Sequence, residues 1–252
     1  IHPFVPRIGS LGASGDLAPL SHLAFTLIGE GEVLLDGSKI PTNDVLEQHE
    51  ILPVSLTAKD GLSLINGTSQ MCSFAILAHQ ALGELLVLAD VILATSMEAR
   101  KCSLTPANPL VHNARPHPGQ RTIAQRLNTL LANSPIMDSH TDCDKVQDPY
   151  SFRCAPQVHG AIWEAYHRLD EMIRIEINSA TDNPLIFPNP SQPGSHEVLS
   201  QGNFHGEIVA MVCDSMTLGL FELGSISERR MDQMLDPARS DLPAFLAHNS
   251  GL

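Results

Sequence analysis

Hydrophobic residues dominate three long stretches of the chain, and each stretch predicts a helix. Residues 68–101 are apolar on nearly every face of a helix, which is typical of a central bundle helix. At a rise of 1.5 Å per residue this helix would be roughly 50 Å long. Residues 156–179 and 203–235 predict two further long helices. The pattern therefore predicts an all-α fold, a bundle of long, largely buried central helices with polar loops at their ends.

Shorter elements are predicted between the long helices. Asp36-Gly37 lies between two short apolar segments and predicts a single small β-hairpin near the N-terminus. The proline-rich stretches 105–119 and 182–202 are predicted to be ordered loops that join the helices. Because neither stretch has the composition of a flexible linker, residues 1–252 are predicted to form a single domain.

Composition and charge restrict the possible partners. The 252 residues are 43 % hydrophobic and 17 % charged, which is typical of a globular protein. Fifteen Lys and Arg stand against 28 Asp and Glu, and the net charge of −13 would repel nucleic acid and anionic lipid. No uninterrupted apolar run reaches membrane-spanning length. We therefore expect neither a nucleic acid nor a membrane as a partner.

Cysteine and histidine spacing argues against a metal centre. The five cysteines are odd in number and form no C-x-x-C pair, so we expect no disulfide framework and a reducing, cytoplasmic location. The twelve histidines are scattered without ligand spacing, so no metal is expected. The chain also has no G-x-G-x-x-G and no P-loop pattern, so no nucleotide is expected.

The most specific local feature is the segment 9–20, GSLGASGDLAPL. Asp16 is a favourable N-cap, and Pro19 suits the first turn of a helix that continues to Leu27. Ser14 would then lie just before a helix N-terminus, where backbone N–H groups favour negative charge. By composition alone, this is a glycine-rich loop capped by Asp. It is not a nucleophile elbow, because the second glycine of that motif is missing.

The triplet Ala13-Ser14-Gly15 permits an unusual backbone reaction. The amide nitrogen of Gly15 can attack the carbonyl of Ala13, since glycine has no Cβ to crowd the approach. Loss of that carbonyl oxygen as water, and of the Ser14 hydroxyl as a second water, leaves a five-membered ring. The former Cβ of Ser14 becomes an exposed, electrophilic methylidene carbon.

Segment 9–20 resembles the signature of the aromatic amino-acid ammonia-lyases and aminomutases, which form 4-methylideneimidazol-5-one (MIO) from this triplet. Four further segments resemble the landmarks of the same family and occur in the family's order: residues 64–68, 147–154, 178–185 and 200–207. Five ordered matches over the whole chain are far more specific than one motif, so the chain is identified as a member of the MIO-dependent family.

The resemblance implies roles for individual residues. The implied catalytic residues are Ala13, Ser14, Gly15, Tyr150 and Phe204, the substrate-binding residues Asn66, Gln147 and Arg153, and the residues beside the prosthetic group Asp16 and Asn203. Arg153 is implied to bind the substrate carboxylate, and a planar, permanently charged guanidinium suits that role. Phe204 is implied to pack beside the MIO ring, which forms autocatalytically without metal or nucleotide.

The implied reaction removes ammonia from an L-amino acid and gives an α,β-unsaturated acid. Since the β-proton is not acidic, an electrophile must assist its loss. Residues 143–150 and 202–206 resemble the histidine branch, whose product is urocanate, whereas residues 66–69 and 112–120 resemble the phenylalanine and tyrosine branches. Gln201 stands where the family pattern has a glycine. Histidine is therefore the expected substrate, with a phenylalanine or tyrosine ammonia-lyase or an aminomutase as the alternative.

The resemblance also implies a larger assembly. The family is homotetrameric with sites shared between subunits, and this chain corresponds to the central part of a longer family chain. The family's base Tyr and substrate-selecting His would precede it, and a Glu that reads imidazole would follow it. A non-enzymatic helical homologue or fragment is the alternative from another class. The fumarase and aspartase group ranks last, because its flexible-loop signature is not found.

Overall fold

The computed structural model describes residues 1–11, 16–141 and 145–249. Helices dominate this part of the chain and the strands are short, so the predicted all-α class is confirmed. The α-helices are α1 (Leu17–Leu27), α2 (Thr42–Gln48), α3 (Asp60–Ile65), α4 (Ser69–Ala99), α5 (Pro109–Ala114), α6 (Pro118–Leu130), α7 (Pro135–Asp138), α8 (Tyr150–Arg153), α9 (Ala155–Glu176), α10 (Glu207–Leu235) and α11 (Pro237–Ser240). The strands are β1 (His2–Pro3), β2 (Glu32–Leu35), β3 (Ser38–Pro41), β4 (Leu185–Pro188) and β5 (His196–Leu199).

The three predicted long helices are confirmed as α4, α9 and α10, with ends that differ by a few residues. The largest difference is at α10, which begins four residues later than predicted. His205 explains this start, because its Nδ1 accepts the backbone N–H of Glu207 at 3.2 Å. A side-chain acceptor at this position satisfies one of the N–H groups that a helix leaves unpaired at its first turn.

The predicted N-terminal hairpin is confirmed as β2 and β3, with Asp36 and Gly37 at positive φ in the turn. Strand β1 pairs with β2 and extends this hairpin to three strands. The prediction of a loop over 182–202 was wrong, because β4 and β5 form a second hairpin there. The connection between β4 and β5 is rich in proline and polar residues, so the sequence pattern did not indicate the two short strands.

The prediction of a loop over 105–119 was also wrong. This stretch contains a 3-10 turn at Thr105–Ala107, the whole of α5 and the start of α6. Proline stands at the first position of α5 and of α6, where its missing N–H costs nothing. Asn108 caps α5 by accepting the backbone N–H of Leu110 at 2.9 Å. Here proline marks helix starts rather than loops.

The chain divides into two compact units. Unit 1 comprises Ile1–Leu77 and Glu171–Met211, and unit 2 comprises Ala78–Asp170 and Val212–Leu252. In unit 1, Val33 and Val45 are buried between the three-stranded sheet and α2. The core of unit 2 includes Leu86, Leu93 and Ile123. The single-domain assignment stays a prediction.

Unit 2 contains a buried polar cluster. Asp90 is 1 % exposed and accepts hydrogen bonds from His159 Nδ1 at 2.7 Å and Trp163 Nε1 at 3.0 Å, and it pairs with Arg126. His159 Nε2 accepts from Arg230 Nη1 at 3.1 Å. Burial lowers the pKa of His159, and the positive charge of Arg230 adds to this effect, although the hydrogen bond to Asp90 opposes it. The ring is therefore neutral and serves as donor at one nitrogen and acceptor at the other.

Many large apolar side chains on α4 and α10 are exposed in the single chain, among them Phe74, Leu77 and Phe221. Two helical stretches, Asp60–Ala99 and Glu207–Leu235, are long and apolar enough to cross a membrane by length and composition. The sequence analysis found no apolar run of membrane-spanning length, whereas the mean hydropathy of these helices, taken over a window that tolerates a few charged residues, passes the test. The core helices of soluble proteins pass the same test.

Replacing Asp90 with Ala is expected to lower the free energy of unfolding by about 3–5 kcal/mol, because it leaves buried cationic and N–H groups without their acceptor. Chemical denaturation followed by circular dichroism measures the loss. Glu84→Ala is the matched control, since Glu84 is an exposed acid on the same helix. Equal stability of the two variants would contradict a structural role for the cluster.

Candidate functional site

Asp16 ties the front motif to the first turn of α4. The predicted helix α1 begins at Leu17, but the side chain of Asp16 does not cap it. Its Oδ2 instead accepts the backbone N–H of Met71 at 3.1 Å, and its Oδ1 accepts the hydroxyl of Ser10. The prediction that Asp16 caps α1 is thus corrected. Its carboxylate instead accepts an N–H group in the first turn of the longer helix α4.

The implied catalytic triplet Ala13-Ser14-Gly15 lies outside the described residues. The next residue, Asp16, is fully buried, so the chain on this side of the triplet is held against the N-terminus of α4. The neighbouring Gln70 Oε1 is buried and has no hydrogen-bond partner among the described residues. A buried acceptor without a partner is rare, so this oxygen can accept from a donor that the described residues do not supply.

Asn66 lies just before α4 and is held by a neighbouring loop. Its Nδ2 donates to Asp182 Oδ1 at 3.0 Å. Gly67 follows in close contact with Thr181: a Cβ at Gly67 would overlap the Thr181 carbonyl oxygen and lie 2.8 Å from its Oγ1. Only glycine fits this approach of two backbone segments.

Asp182 gathers several donors in unit 1. Besides Asn66, it accepts from Ser63 Oγ at 3.0 Å and forms an ion pair with Lys59. Burial raises the pKa of Asp182, but hydrogen bonds from Lys59, the Asn183 backbone, Asn66 and Ser63 outweigh it and leave the pKa below its usual value. The carboxylate is therefore ionised and acts only as an acceptor.

Gln201 joins the loop of Asp182 to Asn203. Its backbone N–H donates to Asn183 Oδ1 at 2.7 Å, and its Nε2 donates to the carbonyl oxygen of Asp182 at 2.6 Å. Its Oε1 accepts the backbone N–H of Asn203. Asn203 is exposed, and Phe204 beside it is half-buried. These bonds fix the backbone of the segment that carries both predicted residues.

In unit 2, the short helix α8 carries Tyr150 and Arg153. Phe152 between them is buried and anchors the helix. The guanidinium carbon of Arg153 lies 4.6 Å from the centre of the Tyr150 ring, while the ring itself is 72 % exposed. Arg153 Nε is buried without a hydrogen-bond partner among the described residues. Stacking on the Tyr150 ring orients the guanidinium.

Arg153 and Gln147 line a cavity of about 630 Å³ within unit 2. This volume is in the range of small-molecule sites. Lys101 and Lys145 add two cationic side chains to the lining. Asp138 and Asp148 offset part of this charge. Asp148 is also structural, since it accepts the backbone N–H of Ser103 at 2.7 Å. The cavity therefore suits a small ligand that carries an anionic group.

The predicted residues fall into two groups. Asp16, Asn66, Asn203 and Phe204 belong to unit 1, and Gln147, Tyr150 and Arg153 belong to unit 2. Sequence reasoning missed Asp182, Gln201 and Lys59 as parts of the site. Two signals were present, because Asp182 lies in a segment that matches the family and Gln201 departs from the family's glycine. In the described part of the chain, no group of three or more His, Cys, Asp or Glu could hold a metal ion.

Comparisons with known proteins agree with the landmark segments. The family model for aromatic amino acid lyases matches residues 1–252. The histidine ammonia-lyase of Myxococcus xanthus is 46 % identical over 250 residues, which are 99 % of this chain and 48 % of that protein. The chain thus spans about half the length of the curated relatives it matches.

Solved structures show the same similarity in three dimensions. Histidine ammonia-lyase from Trypanosoma cruzi matches with a TM-score of 0.84 and 42 % identity over 99 % of this chain and 46 % of that chain. Tyrosine aminomutase from Streptomyces globisporus matches with a TM-score of 0.88 and 37 % identity over 100 % of this chain and 50 % of that chain.

Gly67→Ala is expected to lower the free energy of unfolding by about 1–3 kcal/mol, because the new Cβ forces the Thr181 backbone away. Thermal denaturation measures the effect. Gly202→Ala is the matched control, since a Cβ there meets nothing within 4 Å. Equal melting temperatures of Gly67→Ala and Gly202→Ala would show that the loops of Gly67 and Thr181 do not make the close contact.

Proposed function

Because this chain belongs to the aromatic amino acid lyase family, we propose that the protein eliminates ammonia from L-histidine and releases urocanate. The observation that carries this proposal is the 46 % identity with a histidine ammonia-lyase over 99 % of the chain. The 42 % identity with the enzyme from Trypanosoma cruzi supports the same substrate. The TM-score of 0.84 with that enzyme over 99 % of this chain supports a shared fold.

We propose that Ala13-Ser14-Gly15 forms MIO autocatalytically. The group supplies an electrophile that activates the substrate for loss of ammonia. The surrounding residues fit it: Asp16 anchors the chain after the triplet, and Gln70 Oε1 offers a buried acceptor near that anchor. Asn66 lies at the same end of α4, and Asn203 is joined to it through Asp182 and Gln201. Phe204 would pack beside the ring.

Arg153 is proposed to bind the carboxylate of the amino acid. Its charge is permanent and it lines a cavity whose size suits a small ligand, so its guanidinium can pair with a ligand carboxylate. The Tyr150 ring restricts the guanidinium, which reduces the entropy lost on binding. Gln147 lines the same cavity and would contact the rest of the substrate. Tyr150 is proposed to act at the reacting centre, and its exposed ring is accessible to a ligand.

A second candidate function is an aminomutase, which returns ammonia to the β-carbon of the product. The TM-score of 0.88 with tyrosine aminomutase over the whole chain favours it, as does the resemblance of residues 66–69 and 112–120 to the phenylalanine and tyrosine branches. The products separate the candidates: a lyase accumulates the unsaturated acid and ammonia, whereas an aminomutase accumulates a β-amino acid. A helical homologue without activity would give neither.

We further propose a homotetramer in the cytoplasm, with sites shared between subunits. The exposed apolar side chains of α4 and α10 support an assembly, because a second chain would remove this surface from water. Among the described residues, no disulfide joins Cys72, Cys102, Cys154 or Cys213, which is consistent with a reducing compartment.

The peptide that contains Ala13-Ser14-Gly15 is expected to be lighter by two water molecules in the natively purified protein. Peptide mapping by mass spectrometry measures this deficit, and native mass spectrometry of the same sample measures the number of subunits.

Ser14→Ala should remove both the deficit and turnover while far-UV circular dichroism is unchanged. Ser21→Ala, on the neighbouring helix α1, is the control and should retain both. Turnover retained in Ser14→Ala would overturn the MIO proposal.

Arg153→Ala is expected to weaken substrate binding by about 2–4 kcal/mol, because a charge-assisted pair with the carboxylate is lost. Steady-state kinetics should show this mainly as a raised KM. The KM of Arg153→Lys should lie between those of the wild type and Arg153→Ala, since lysine keeps the charge but loses the planar, two-point geometry. An unchanged KM in Arg153→Ala would rule out the carboxylate role.

A further inference from the structure

Three loops of unit 1 meet in one hydrogen-bonded network, and the proposed function gives its linking residues no part in the reaction. They are residues 66–68 before α4, residues 181–183 before β4, and residues 201–204 before α10. Two members of this network, Asp182 and Gln201, have no assigned role. The family resemblance implies a glycine at the position of Gln201.

Asp182 controls which way the amide of Asn66 faces. Its ionised carboxylate only accepts hydrogen bonds, so the atom of Asn66 that meets it at 3.0 Å must be the nitrogen. Lys59 and Ser63 hold the other carboxylate oxygen, so Asp182 cannot easily turn away. With its nitrogen committed, Asn66 presents its carbonyl oxygen to a ligand, and this acceptor suits an amino group.

Gln201 links the segment of Asn203 and Phe204 to the loop that orients Asn66. Its side chain donates to the Asp182 carbonyl oxygen and accepts the Asn203 backbone N–H. A glycine at this position would lose both bonds and keep only the backbone bond to Asn183. The segment of Asn203 and Phe204 is thus joined to the loop that orients Asn66 by bonds that glycine cannot make.

We infer that Asp182 and Gln201 are positioning residues: Asp182 presents the acceptor of Asn66 to the substrate, and Gln201 couples the Asn203-Phe204 segment to the same loop. The inference rests on the proposed function for its effect on catalysis. The hydrogen bonds themselves, however, can be tested without turnover.

The first experiment measures hydrogen–deuterium exchange at the Asn203 amide of the natively purified protein. Gln201→Gly should speed this exchange roughly threefold to tenfold, which corresponds to one neutral hydrogen bond. Gln201→Glu still offers an acceptor to this N–H but loses the donor to the Asp182 carbonyl oxygen, so its exchange rate should lie between those of the wild type and Gln201→Gly. Gln192→Gly is the control for an added glycine, since Gln192 is an exposed residue of the β4–β5 connection. Wild-type exchange in Gln201→Gly would overturn the role of Gln201, whatever the activity.

The second experiment measures steady-state kinetics with histidine. Asp182→Asn places N–H groups beside the Asn66 nitrogen and should reduce kcat/KM about tenfold or more, with the two-water deficit at Ser14 retained. Asp182→Glu keeps the charge and should recover part of the loss. Wild-type kcat and KM in Asp182→Asn would overturn the role of Asp182. Absence of both the deficit and turnover in the wild-type protein would instead overturn the proposed function, and the exchange experiment would still decide the hydrogen bonds.

Discussion

The close approach of Gly67 to the Thr181 backbone is the constraint on which the rest of unit 1 depends. Because no side chain separates these two segments, Asn66 reaches Asp182 and the start of α4 is placed against the loop before β4. Asp16 adds the front motif to the same helix end through Met71. The N-terminus of one long helix thereby organises segments that are more than a hundred residues apart.

Each unit surrounds one carboxylate with hydrogen-bond donors. In unit 1, the half-buried Asp182 is surrounded by Lys59, Ser63 and Asn66, and in unit 2 the buried Asp90 is surrounded by donors from α6 and α9. Burying a carboxylate is costly unless it is paired and hydrogen-bonded, so Asp90 selects one arrangement of its neighbours. The two carboxylates serve different ends, because the donors of Asp182 include a predicted site residue, whereas Asp90 lies in the core of unit 2.

Much of the fold and the chemical identity of the site could be predicted from sequence. Long apolar periodicity predicted α4, α9 and α10, and Asp36-Gly37 predicted a hairpin, because these signals are local. The proline-rich stretches were misread, since proline marks the starts of α5 and α6 and the ends of strands as readily as it marks loops. The role of Asp16 was misassigned because its hydrogen-bond partner, the backbone N–H of Met71, is 55 residues away and no local pattern indicates it.

The sequence by itself determined the helical class, the family and the residue types of the site, because helix periodicity and motif order are written in consecutive positions. Only the tertiary structure decided how those residues are held. Hydrogen bonds join residues distant in the chain: Asn66 to Asp182, Gln201 to Asp182, and His159 to the buried Asp90. No local pattern specifies such pairs. They are selected by which donors and acceptors the packed helices bring within hydrogen-bond distance.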